Sequence, residues 1–141
     1  MTTLQESKRA RIGALCALYF AQGVPWAFIT VAFVAVLVDA DSISDDQVAA
    51  LTLAGTLPWM FGKLVLGPLI DRVRFPAYGL RRPWIIIAQL GMIITMGIFL
   101  TIDDPLADGN LEAGLSTIML FFLIHNIFAT LQDVSSDALA V

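Results

Sequence analysis

Charge is scarce in this sequence. Only 14% of its 141 residues are Asp, Glu, Lys or Arg, against about 25% in an ordinary soluble domain. The shortage is uneven as well. No charged side chain lies between Arg11 and Asp39, between Arg82 and Asp103, or between Glu112 and Asp133. Each gap is about 20 residues or longer, which as a helix crosses about 30 Å of hydrocarbon. A further apolar run, Val48 to Ile70, is broken only by Lys63. Cysteine is almost missing: Cys16 stands alone, so no disulfide can form within the chain. No basic cluster is interleaved with aromatics, so nothing points to a nucleic-acid partner.

What fills the chain instead is apolar: 58% of the residues are hydrophobic. The pattern predicts an all-α, polytopic membrane bundle of about four helices, at about residues 12–38, 45–70, 83–102 and 113–139. Lys8, Arg9 and Arg11 ahead of an apolar run are also how a signal peptide begins. The run from Ile12 to Val38 is too long for that, since a signal core is only about 7–15 residues.

The loops sort by charge. Lys8, Arg9, Arg11, Arg72, Arg74, Arg81 and Arg82 fall before the first helix or between the second and third. Asp39, Asp41, Asp45, Asp46, Asp103, Asp104, Asp108 and Glu112 fall on the other side, with no Lys or Arg among them. The positive-inside rule then expects the N-terminus and the 2–3 loop in the cytoplasm. Ser44-Asp45-Asp46-Gln47 reads as a capping box, and Pro83 suits the first turn of a helix. Gly13, Ala17 and Ala21 form a stripe of small residues that suits close helix packing, within a bundle or in a dimer.

Pro25 and Pro58 interrupt two of the apolar runs. Each either kinks its helix or frees a carbonyl toward a cavity, where irregular backbone is tolerated. Lys63, Asp133 and Asp137 are the charges placed where a membrane makes them expensive, at about 2.5–3.5 kcal/mol each near the bilayer centre. Lys63 and Asp133 have similar expected depths, which makes an ion pair feasible. Asp133 and Asp137 are four apart on one helical face. Two ionised carboxylates there repel unless a cation is near or one is protonated. That suits a proton relay, and it equally suits a static link from Asp137 to Arg72, Arg81 or Arg82. Gln22, Gln132, His125 and Asn126 are further polar candidates; His125 either titrates or bonds a neighbouring helix.

Gly67-Pro68-Leu69-Ile70-Asp71-Arg72 resembles the G-x-L-x-D-R signature between helices two and three of the major facilitator superfamily. The basic residues that follow in that superfamily appear here as Arg81-Arg82, after an inserted Val73–Tyr78 stretch. Four further segments resemble the AmpG-like muropeptide permeases and acetyl-coenzyme A transporters: Tyr19-Phe20-Ala21-Gln22-Gly23-Val24-Pro25, Leu57-Pro58-Trp59-Met60-Phe61-Gly62-Lys63, Arg81-Arg82-Pro83-Trp84, and Leu131-Gln132-Asp133-Val134-Ser135-Ser136-Asp137-Ala138.

The resemblance implies a twelve-helix transporter fold of which these residues form the front part, completed by C-terminal helices that this stretch lacks. It implies secondary transport of a small solute across the cytoplasmic (inner) membrane, with protons as the coupling ion and no cofactor. Gln22 and Pro25 would line the cavity, with Lys63, His125, Gln132 and Asp133 as substrate or coupling candidates. Asp71, Arg72, Arg81, Arg82 and Asp137 would form a cytoplasmic latch. The rival expectation is a small four-helix scaffold or regulatory protein. An intramembrane enzyme is disfavoured. Asp133 and Asp137 would suit Mg²⁺, but no second carboxylate cluster faces them.

Overall fold

The computed structural model describes residues 7–39, 43–73, 75, 79–102 and 110–140, with side chains through Asp137. The acidic loop residues Asp41, Asp103, Asp104 and Asp108, and Arg74 of the inserted stretch, lie outside them. Four helices are long and apolar enough to cross a membrane: α1 (Lys8–Asp39), α2 (Asp45–Arg72), α3 (Arg82–Thr101) and α4 (Leu111–Ala140). The fold is all-α, and the only strand-like pairing among the described residues is an isolated bridge between Phe75 and Gly79.

The helix ends follow from local chemistry. Ser7 caps α1, its hydroxyl accepting from the Ala10 N–H. The expected capping box opens α2: the Gln47 side chain accepts from the Ser44 N–H at 2.8 Å, and the Ser44 hydroxyl from the Gln47 N–H at 3.4 Å. Pro83 occupies the first turn of α3. Helix α4 begins two residues earlier than the apolar run suggests, because the Asn110 carboxamide accepts from the Ala113 N–H and caps it.

Pro25 does not break α1. The helix runs on to Ala27 and then widens into one π turn, Phe28–Ala32, before resuming at Phe33. Pro25 withholds one backbone donor. The Thr30 hydroxyl then donates to the Trp26 carbonyl at 2.8 Å, a side-chain bond that bends helices. The Phe33 N–H reaches back five residues to the Phe28 carbonyl. Pro58 and Pro68 are likewise absorbed within α2.

Helix α4 is the hub. It packs most extensively on α2 and α3, and less on α1. Half of its membrane-length window is buried, against 17% for α1 and for α2. Its buried face is polar to an unusual degree, with His125, Asn126, Thr130, Gln132, Asp133, Ser135 and Ser136 all inside. Many large apolar side chains of the bundle face outward instead, Leu64, Leu100 and Phe20 among them. Lipid is the solvent on that side, so exposing leucine there costs nothing.

Two apolar clusters close the ends. Ile29, Leu37, Leu51, Leu115, Ile118 and Phe122 pack near the Asp45 end. There Phe33 meets Phe99 and Phe122 edge-on, with centroids 5.8 Å apart in each pair. Ile70, Ala88 and Leu131 pack near the Arg72 end.

Glycine sets how closely the helices approach α4. A Cβ on Gly62 of α2 would stand 2.9 Å from the Thr130 methyl, and one on Gly91 of α3 would stand 2.2 Å from the Phe128 ring. Gly91→Ala is therefore expected to force α3 from α4 and to cost about 1–3 kcal/mol. Thermal unfolding of the purified protein in detergent measures this, and adding Phe128→Ala should recover part of the loss. A melting temperature equal to the parent's would show that the ring simply turns aside. By contrast, nothing lies within 4 Å of a Cβ placed on Gly13, and Ala17 and Ala21 are exposed. The small-residue stripe of α1 has no partner helix among the described residues.

Candidate functional site

Three helices meet at one lysine. Lys63 sits on α2 one turn after Trp59, and Asp133 and Asp137 sit one turn apart on α4. Helix α1 runs opposite to α4 and brings Tyr19 and Gln22 to the same place. The Lys63 ammonium lies 2.5 Å from Asp133 Oδ2 and 3.4 Å from Asp137 Oδ2. Asp133 accepts two more bonds, from Trp59 Nε1 at 3.1 Å and from Gln22 Nε2 at 3.3 Å. The Tyr19 hydroxyl donates to Asp137 Oδ1. The ammonium also stands 4.9 Å from the centre of the Trp59 ring, within cation–π range.

The arrangement makes physical sense. Asp133 is only 6% exposed, and a buried carboxylate is tolerable only with a counter-charge and filled lone pairs. Lys63, Trp59 and Gln22 supply both. Asp137 is exposed and shares the same ammonium. Two carboxylates and one lysine leave one surplus negative charge.

Beside this cluster opens a cavity of about 630 Å³ between α1, α2 and α4, lined by Tyr19, Gln22, Trp26, Thr56, Trp59 and Asn126, among others. The Oε1 of Gln22 has no partner. Its Nε2 is already committed to Asp133, so the oxygen stays buried beside the cavity wall without a donor.

The structure separates several candidates that the sequence grouped together. Pro25 lines a different cleft, of about 550 Å³ between α1 and α3, with Ala21 and Gln89. Residues 19, 22, 23 and 26 share one face of α1, and Ala21 and Pro25 fall on the next. His125 faces α3, where its Nδ1 lies 3.0 Å from the Thr95 hydroxyl. It is eight residues before Asp133, about 12 Å along α4 and well round it. Gln132 donates to the Leu18 carbonyl at 2.8 Å and ties α4 to the backbone of α1.

The expected latch has different partners. Arg81 pairs with Asp71 at 2.6 Å, at the junction of α2 and α3. Asp137 joins no arginine among the described residues. It lies one turn beyond Asp133 on the same face, and so it falls to Lys63 and Tyr19. Arg72 and Arg82 are exposed at the helix ends.

Tyr19, Trp26 and Trp59 are members of the site that sequence reasoning did not single out. The signal was present in the spacing. Tyr19 precedes Gln22 by three residues and Trp59 precedes Lys63 by four, so each pair shares a helical face. Among the described residues, no three His, Cys, Asp or Glu side chains gather as a metal site.

A family model described as acetyl-coenzyme A transporter 1 matches residues 11–141. The chain belongs to this family. This acetyl-coenzyme A transporter family member is thus a multi-pass membrane transport protein and not an enzyme. No solved structure matches it. The matched region includes every residue of the three-helix junction, from Tyr19 to Asp137.

Proposed function

We propose that this protein is a secondary carrier that moves a small solute across the cytoplasmic membrane and couples that movement to protons. Acetyl-coenzyme A, the molecule in the family's description, is the first candidate solute. The observation that carries the reading is Lys63 held between Asp133 and Asp137 at the edge of an open cavity. Ionisable groups inside a membrane bundle are costly and mark ion or substrate pathways. With one surplus negative charge, the cluster becomes neutral on taking up one proton. Its bonds join α1 and α2 to α4, so a proton that loosens them alters how three helices are held together. A scaffold would need the packing of α4 but has no use for this charge beside a cavity.

The wider assignment belongs to the same proposal. These four helices sit in the first half of a twelve-helix major facilitator fold, completed by further helices, in which two halves rock about a central site. The Gly67–Arg72 motif and the Asp71–Arg81 pair support it. The N-terminus is cytoplasmic. The support is that Lys8, Arg9, Arg11, Arg72, Arg81 and Arg82 gather at one end of the bundle, and Asp45, Asp46 and Glu112 at the other.

Proteoliposomes containing the full-length transporter test the reading. Labelled acetyl-coenzyme A should accumulate under an imposed pH gradient and leak back when a protonophore is added. Uptake that merely equilibrates, whatever the gradient, would remove proton coupling from the proposal. No uptake at all would remove the candidate solute.

A further inference from the structure

The geometry points to the cavity between α1, α2 and α4 as the seat of a flat, uncharged heteroaromatic group of the solute, of the nucleobase class. This rests on the proposal that the solute is a coenzyme A ester, and it states which end of that molecule enters. Such an ester has three chemically distinct parts: a nucleobase on a ribose, a set of phosphates, and a flexible neutral thioester arm.

The walls select for flatness. Tyr19, Trp26 and Trp59 line the cavity and are 42%, 44% and 51% exposed. In membrane proteins Tyr and Trp collect at the headgroup level, where the polar tip meets water. Trp59 is instead 14 residues from the start of α2 and 13 from its end, about 20 Å from either. Trp26 is 13 residues from the far end of α1, at a similar depth. Large amphipathic rings at mid-depth, turned toward open space, are out of place as interface anchors. They are well placed to offer π faces to a planar ligand.

The polar lining selects for a donor. Gln22, one of the lining residues, holds a buried carbonyl oxygen with no partner, its orientation fixed by the bond from its own amide nitrogen to Asp133. A ring that carries an amino group meets that requirement. The charge then excludes the phosphates. The adjoining Lys63, Asp133 and Asp137 cluster carries a surplus negative charge, and like charges at close quarters oppose binding. The thioester arm has donors but no ring to stack, so the nucleobase alone meets all three conditions.

Equilibrium binding of labelled adenosine to the full-length protein in nanodiscs is the direct test, because adenosine carries the base and ribose without phosphate. Saturable binding is expected. Trp26→Ala should weaken it about tenfold or more, the scale of losing one stacked base. Trp26→Phe keeps a π face and should stay within about threefold of the parent, which separates lost stacking from a misfolded site. Trp26 has no side-chain bond to the charged cluster, so both variants leave the cluster intact. Three results would overturn the inference: no saturable adenosine binding, binding indifferent to Trp26, or pantetheine in place of adenosine binding in a Trp26-dependent way. The transport reading fails separately. A protein that binds adenosine through Trp26 but never accumulates acetyl-coenzyme A keeps the site and loses the coupling.

Discussion

Lys63→Ala is expected to destabilise the bundle by about 3 kcal/mol, the lower end of the range for stranding one member of a buried ion pair. The lower end applies because the Lys63 side chain is 38% exposed, while Asp133 is nearly sealed. Without the ammonium, Asp133 keeps only the Trp59 and Gln22 donors, which do not neutralise it. Asp133→Asn should cost less, since an amide needs no counter-charge. The double variant should be more stable than Lys63→Ala alone. Unfolding of the purified protein in mixed micelles, arranged as a double-mutant cycle, gives the coupling directly, with about 1–3 kcal/mol expected. Simple additivity would mean that the pair contributes nothing as a pair.

Asp137→Asn is expected to act on transport and hardly at all on folding. Asp137 is exposed, and its loss leaves the Lys63–Asp133 pair in place. It also removes the surplus negative charge, and with it the reason for the cluster to take up a proton. Accumulation driven by a pH gradient should fall by about 5- to 150-fold, the usual range of coupling between two sites. Solute exchange without a gradient should survive. The decisive measurement compares the two modes of flux in the same vesicles. Equal losses in both would make Asp137 a structural or solute-contacting residue. Intact gradient-driven accumulation would place the coupling group elsewhere, with Asp133 the next to examine.

Much of the fold was legible because a membrane reduces the problem to length and charge. Three gaps in charge and one apolar run broken only by Lys63 located the four helices, and Ser44-Asp45-Asp46-Gln47 located the start of α2 closely. The feasible Lys63–Asp133 pair followed from depth alone, and the structure joins the two residues. The partners of Asp137 were less legible. Depth put it near Arg72, Arg81 and Arg82, but it shares a face with Asp133, and the rotation of α4 that turns Asp133 to Lys63 turns Asp137 there too. Pro25 was legible only in part. Proline marks a missing donor, but it does not say where the helix widens, and here the wide turn lies downstream at Phe28–Ala32, where Thr30 bonds the Trp26 carbonyl. The polar face of α4 was hidden by its composition. Its mean hydropathy is that of an ordinary membrane helix, and only packing shows that His125, Asn126, Thr130 and Gln132 all turn inward.

That inward polar face bears on how the protein is made. A ribosome delivers helices to the membrane in order, so α4 arrives when α2 and α3 already stand there. Alone in lipid, α4 would turn Gln132 and Asp133 toward hydrocarbon, without the Leu18 carbonyl and the Lys63 ammonium that they meet in the bundle. The surfaces that receive it, Gly62 with Lys63 on α2 and Gly91 on α3, belong to helices synthesised before it. Chain order thus supplies the docking site before the helix that needs it.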